Sequence, residues 1–180
     1  MAAPTIRNDD GSLQGSVRGD PTMLTGLFGR TTLLTKLLPN NRLAQRNVMT
    51  AAASGSESRT ADWVSGACML VRRAAVNAVG GFDEQYFMYW EDADFCRRVR
   101  RQGGRVVFLP TTLVRHEIAG SSSFAPARNV WSFHRSALRL YLKHAGLVQW
   151  GLLPLTFAAL CLRGGLHMLR AALRAPLKHQ

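Results

Sequence analysis

The sequence predicts an α/β chain followed by amphipathic and apolar carboxyl-terminal helices, and three observations carry that reading. Short apolar runs with strand character, WVSGACMLV from Trp63 and then RVVFLP and TLVRH around Pro110, are separated by segments with helical patterning. Glycines at Gly80-Gly81 and Gly103 stand where those helical segments would close. From Arg128 an amphipathic pattern leads into residues 145–162, which carry no formal charge. With 180 residues and 47% hydrophobic content, the chain is long enough to bury a core.

Residues 1–20 read as polar and turn-rich, with Asp10-Gly11 the strongest turn signal. Asp20-Pro21 reads as a helix start, aspartate at the cap and proline in the first turn, leading an apolar stretch towards Pro39. Residues 40–60 have weak periodicity, finish in a small polar cluster and read as a mobile loop. WVSGACMLV then predicts a buried strand whose small residues allow close backbone approach. RRAAVNAVGG predicts a short helix. Glu91 to Gln102 predicts another, with Glu91, Asp92 and Asp94 in its first turn and Arg97, Arg98, Arg100 and Arg101 later, which suits the helix dipole. Asp94 is expected as a surface partner of Arg97 or Arg98. RVVFLP and TLVRH predict two strands broken by Pro110.

In the helix predicted from Arg128, Val130, Trp131, Phe133, Leu138, Tyr141 and Leu142 mark an apolar side and Arg135, Arg139 and Lys143 a basic one. His134 and His144 on it are expected to face solvent or lipid headgroups. Residues 145–162 admit three readings: a membrane span, an interfacial or re-entrant helix flanked by Lys143 and Arg163, or a buried core helix. Gln149 and Pro154 count against the span.

The net charge of +12 is concentrated at one end: residues 121–180 hold eight Lys and Arg and no Asp or Glu. A basic segment interleaved with apolar residues points to an anionic membrane surface. Nucleic acid is not expected as a partner, because the basic residues form no reading motif. Cys68, Cys96 and Cys161 are odd in number and far apart, which indicates neither a disulfide framework nor a zinc site and suits a reducing, cytosolic setting. Residues 1–20 contain no apolar core, so export by a signal peptide is not expected.

Taken without their surroundings, Glu91 and Asp92 read as ordinary acids at a helix start. Their neighbourhood adds a second reading. Of the nine residues from Phe82 to Trp90, five are aromatic, and rings beside carboxylates suit sugars, whose C–H faces stack on rings while hydroxyls bond to acids. Phe82 and Phe87 suit a plug of the core, whereas Tyr89 and Trp90 suit either role.

The ordered series WVSGACMLVRR, VGGFDEQYFMYWEDADFCRR, QGGRVVFLP and RHEIAGSS resembles the second half of the catalytic domain of family 2 glycosyltransferases. It is similar above all to bacterial rhamnosyl- and galactofuranosyltransferase types, and the GGFDE to WED block also resembles the carboxyl-terminal galactosyltransferase motif. The resemblance implies an incomplete GT-A (Rossmann-like) fold over residues 1–127, the acceptor-side half, with residues 128–180 a basic and apolar helical region. It implies Asp92 as general base, Glu91 as an acceptor contact or support of the base, and Trp63, Ser65 and Gly66 as lining the donor sugar and acceptor; Tyr89 and Trp90 join them as substrate-binding candidates on their aromatic character. His116 falls where relatives place a ligand of a divalent cation, Mn or Mg.

The implied reaction is inverting transfer from a nucleotide-sugar donor to a glycan or lipid-linked acceptor in cell-wall or surface-polysaccharide assembly, at the inner face of the cytoplasmic membrane, peripheral or integral. A carboxylate would take the acceptor proton while a cation neutralises the departing diphosphate. The donor-side half with its acidic DXD motif is not in the sequence; Asp9-Asp10 before Gly11-Ser12 resembles the segment after that motif. The expectations that follow are a truncated reading frame or a fragment, an open sheet edge, a His116 without its carboxylate co-ligands, and no sugar transfer by this chain alone. The alternative function is a catalytically inactive membrane-associated module.

Overall fold

In a computed structural model of the chain, residues 1–22, 56–117 and 126–174 are described. The helix expected to run from Asp20-Pro21 towards Pro39, most of the loop expected over residues 40–60 and the end of the RHEIAGSS motif lie outside the described residues. The chain divides into two compact units, Met1–Asp83 with Glu91–Ile118, and Glu84–Trp90 with Ala119–Gln180. Mixed α and β structure is present, with a small sheet of parallel and antiparallel pairs.

The first unit opens on strand β1 (Ala2–Arg7), with Ala3 to Ile6 buried. Sequence patterning reads this segment as turn-rich, because Ala-Ala-Pro-Thr carries little strand propensity. The strand forms through tertiary pairing: β1 runs parallel to β5 (Val107–Arg115), whose other edge takes the short antiparallel β3 (Arg59–Thr60). The turn signal at Asp10-Gly11 corresponds to a real turn, with the Gly11 N–H donating to Asn8 O and Gly11 at φ 79°.

Two strands were expected on either side of Pro110, but β5 is continuous. The pairing passes from Pro4↔Leu109 to Thr5↔Leu113, so Pro110, Thr111 and Thr112 are accommodated as a bulge. Proline has no N–H to lose there, and its carbonyl accepts the Thr5 hydroxyl at 3.0 Å.

A second, two-stranded sheet pairs β2 (Val17–Arg18) antiparallel with β4 (Trp63–Val64), in the register Val17↔Val64 and Arg18↔Trp63. The strand expected over WVSGACMLV therefore ends at Val64. A turn at Gly66-Ala67 follows, and Leu70 is largely exposed.

Helix α1 (Arg73–Val79) closes on Gly80, whose φ of 75° is left-handed. Helix α2 (Glu91–Arg101) matches its sequence pattern, with acids in the first turn and arginines in the last. It buries Ala93, Phe95, Cys96 and Val99, and burial pushes the Cys96 thiol up to about 11. Asp94 is also buried, not at the surface as its helical spacing suggested. Its Oδ2 accepts Arg98 Nε at 2.7 Å, while the Arg98 guanidinium donates to the carbonyls of Val79 and Gly81 and so ties α2 to the end of α1.

The second unit contains α3 (Pro126–His144), α4 (Leu147–Gly151) and α5 (Leu153–Arg174). Residues 145–162 are thus split between α4 and α5, with a break at Leu152 just before Pro154. No helix among the described residues is long and apolar enough to cross a membrane. His134 and His144 differ from the solvated positions expected for them. His134 is half-buried, with Nδ1 2.8 Å from Val130 O, and burial lowers its pKa; His144 is buried.

Candidate functional site

Asp92 is the second residue of α2, where backbone N–H groups point out of the helix end. Its Oδ1 accepts its neighbour Ala93's N–H at 2.8 Å, and its Oδ2 accepts the Gly66 N–H at 2.9 Å. The β2–β4 ladder delivers Gly66 to that position, because the Ser65 N–H donates to Ser16 O and extends the pairing into the turn. Burial raises the Asp92 pKa; the N–H bonds from Gly66 and Ala93 and the charge of Arg18 pull in the opposite direction without cancelling it.

Glu91 precedes it in a half-buried position. Burial raises its pKa, and the adjacent Asp92 charge adds to the effect. Its Oε2 is enclosed and has no hydrogen-bond partner among the described residues. The two carboxyls are therefore both shifted toward neutral pH, which suits groups that exchange protons with a substrate.

Trp63 is buried and its indole N–H donates to Gly19 O at 2.9 Å. Its ring carries the Arg18 guanidinium at 5.0 Å from the ring centroid. Ser65 lies beside Gly66, its hydroxyl accepting the Ala67 N–H at 3.3 Å. Trp63, Ser65, Gly66, Glu91 and Asp92 are thus joined by direct contacts or chain adjacency.

His116 is placed differently. It follows β5, its N–H donates to Arg7 O, and its Nδ1 lies 3.2 Å from Gln14 Oε1, while Gln14 Nε2 donates to the His116 carbonyl. Among the described residues no group of three His, Cys, Asp or Glu side chains is placed to hold a metal ion. The donor set described here does not by itself fit a divalent cation.

Tyr89 and Trp90 belong to the second unit and pack on Phe133 of α3, at centroid distances of 5.7 and 5.2 Å. Both adopt left-handed backbone, with φ of 68° and 70°. For two bulky aromatic residues that conformation is strained and must be held by the packing around it.

Sequence reasoning missed Arg18 and Gln14. Both lie in the stretch read as polar turns, and only the β2–β4 pairing and the approach of β5 reveal what they contact.

A family model described as "Glycosyltransferase like family 2" matches residues 19–145. The chain is 37% identical over 179 residues to N-acetylglucosaminyl-diphospho-decaprenol L-rhamnosyltransferase of Mycobacterium tuberculosis, covering 95% of the chain and 54% of that protein. It is 47% identical over 49 residues to rhamnosyltransferase WbbL of Escherichia coli, 27% of the chain and 19% of the relative. Over 81 residues it is 35% identical to O-antigen biosynthesis protein RfbC of Myxococcus xanthus, 43% of the chain and 6% of the relative. The chain spans about half the length of the mycobacterial relative. No solved structure matches it at a significant level.

Proposed function

The chain belongs to the glycosyltransferase like family 2, and on that premise we propose that it supplies the acceptor-side half of an inverting hexosyl- or rhamnosyltransferase. The donor is a nucleotide sugar, and the acceptor a glycan or lipid-linked sugar in cell-wall or surface-polysaccharide assembly. The names of the mycobacterial and Escherichia coli relatives favour rhamnose, and that of the former favours a polyprenol-linked acceptor. Such an acceptor puts the reaction at the inner face of the cytoplasmic membrane.

The observation that carries this reading is the Asp92 carboxylate, fixed by the Gly66 and Ala93 N–H groups and raised in pKa by burial. In the proposed step Asp92 takes the proton of an acceptor hydroxyl as its oxygen attacks the anomeric carbon. The bond from that carbon to the nucleoside diphosphate breaks on the opposite face, and the diphosphate leaves with the bonding electrons, so configuration inverts. Glu91 contacts the acceptor or steadies the base. Trp63, Ser65 and Gly66 form the substrate-binding strand and turn, Trp63 by supporting Arg18. Tyr89 and Trp90 are proposed as sugar-stacking residues on their residue type.

A divalent cation, Mn or Mg, would neutralise charge on a leaving diphosphate. His116 offers it one imidazole nitrogen, and its carboxylate ligands would come from outside the described residues.

The test is Asp92→Asn in a protein that also carries the donor-side half, followed by transfer of labelled sugar to a lipid-linked acceptor. Loss of transfer by about 10²- to 10⁴-fold with retained folding is expected. Near-normal transfer overturns Asp92 as the base.

A further inference from the structure

Helix α5 is turned inside out for a helix in water. The less exposed positions of α5 are Leu153, Thr156, Leu160, Arg163, Gly164 and His167, four of the six polar or small, and Arg163, Gly164 and His167 meet α3. Arg163 lies over the Phe133 ring at 5.7 Å, the His134 and His167 rings stand 6.2 Å apart, and Gly164 abuts the His134 ring. The opposite side is apolar and open. Leu155 is 61% exposed, Leu162 68%, Leu166 47% and Leu169 57%, and from α4 Leu147 is 93% and Trp150 52% exposed. Facing water, that arrangement forgoes the hydrophobic stabilisation its leucines could supply.

The surrounding charge identifies the occupant. Residues 121–180 carry eight Lys and Arg and no acid, and Arg135 and Lys143 of α3 are exposed. A second copy would bring two such basic regions together. An anionic bilayer offers apolar depth and negative headgroups at once.

We propose that the outward stripe of α5, with Leu147 and Trp150 of α4, is a bilayer-contacting face that lies in the plane of an anionic membrane without crossing it. This deepens the proposed function by naming the surface that meets the membrane, and it rests on that reading only for the membrane's identity. Leu155, Leu162 and Leu166 enter the boundary between headgroups and acyl chains, while exposed basic side chains such as Arg135 meet the headgroups.

The experiment is vesicle flotation of the 180-residue chain, which reads no sugar transfer and so is independent of the assignment of Asp92. The chain is expected to float with vesicles of phosphatidylethanolamine and phosphatidylglycerol, and much less with phosphatidylcholine alone. Leu162→Glu with Leu166→Glu should lower the bound fraction at least about tenfold at unchanged helix content by circular dichroism. If that variant does not fold, brominated-lipid quenching decides: part of the tryptophan quenching in the wild type should vanish in Trp150→Phe. Failure of the wild type to float, flotation unchanged by the glutamates, quenching unchanged by Trp150→Phe, or a stable dimer that ignores vesicles each overturns the proposal.

Discussion

The Gly66 backbone N–H donates to Asp92 Oδ2 at 2.9 Å, so a turn after β4 fixes the rotamer of a carboxylate at the start of α2. A Cβ built on Gly66 would stand 3.5 Å from Asp92 Cβ and 3.7 Å from its Oδ2, ordinary contact distances. Gly66→Ala should therefore fold and retain transfer within about threefold, corresponding to about 0.65 kcal/mol in the barrier. Gly66→Val has branches that would run into the carboxylate, and Gly66→Pro removes the N–H. Both should reduce kcat by more than tenfold in the complete enzyme. Equal rates for all three variants would show that the Gly66 bond does not position the base.

Burial holds the Asp92 carboxyl above its ordinary value of 3.8, and the Arg18 charge partly offsets that rise. In its proposed role as base Asp92 acts in the ionised form, so the rate should fall as pH drops through this raised pKa, at a higher pH than an ordinary carboxylate would give. Arg18→Gln removes the offsetting charge and should move the acid limb of kcat/KM further up in pH. Arg18→Lys, which keeps a charge but stacks less well on Trp63, should move it less. A limb that stays fixed while the rate drops would assign Arg18 to packing alone.

Asp94 and Arg98 make a different kind of pair, with Asp94 fully buried and the Arg98 side chain 18% exposed. Removing one partner leaves a charge with little water to solvate it. Asp94→Ala should destabilise the first unit by about 3–5 kcal/mol, read from the urea unfolding midpoint. Arg98 also donates to the Val79 and Gly81 carbonyls, so its own loss should loosen the end of α1 as well.

What sequence could show, and what it could not, divides along the range of the interactions. Helices α1 and α2 were legible because their signals are local: glycine closing one, acids and arginines ordered along the other. Asp92 and Gly66 were both singled out, through family resemblance, but their hydrogen bond joins positions 26 residues apart and no spacing rule reports it. Strand β1 was invisible because Ala-Ala-Pro-Thr-Ile becomes a strand only against β5. The same pairing lets β5 run through Pro110, where local rules stop it. Asp94 shows a further limit, since i, i+4 spacing found its partner but gave no indication that α1 covers the pair.

Glu91 provides a test of whether this helix start favours function over stability. Its carboxyl is half-buried, its Oε2 has no partner among the described residues, and its folded-state pKa lies above the ordinary 4.5. A raised folded pKa means that the native state holds the proton more tightly than the unfolded chain. The stabilisation tied to that proton is complete below 4.5 and is lost as pH rises through the folded pKa. Glu91→Gln keeps the shape without the charge, so it should raise the unfolding midpoint at neutral pH and lose that advantage below 4.5. The gain is limited because an ionised acid in the first turn still benefits from the helix dipole. Urea titrations of both chains at the two pH values decide it, and a gain that persists in acid would trace to packing and not to the cost of ionising Glu91.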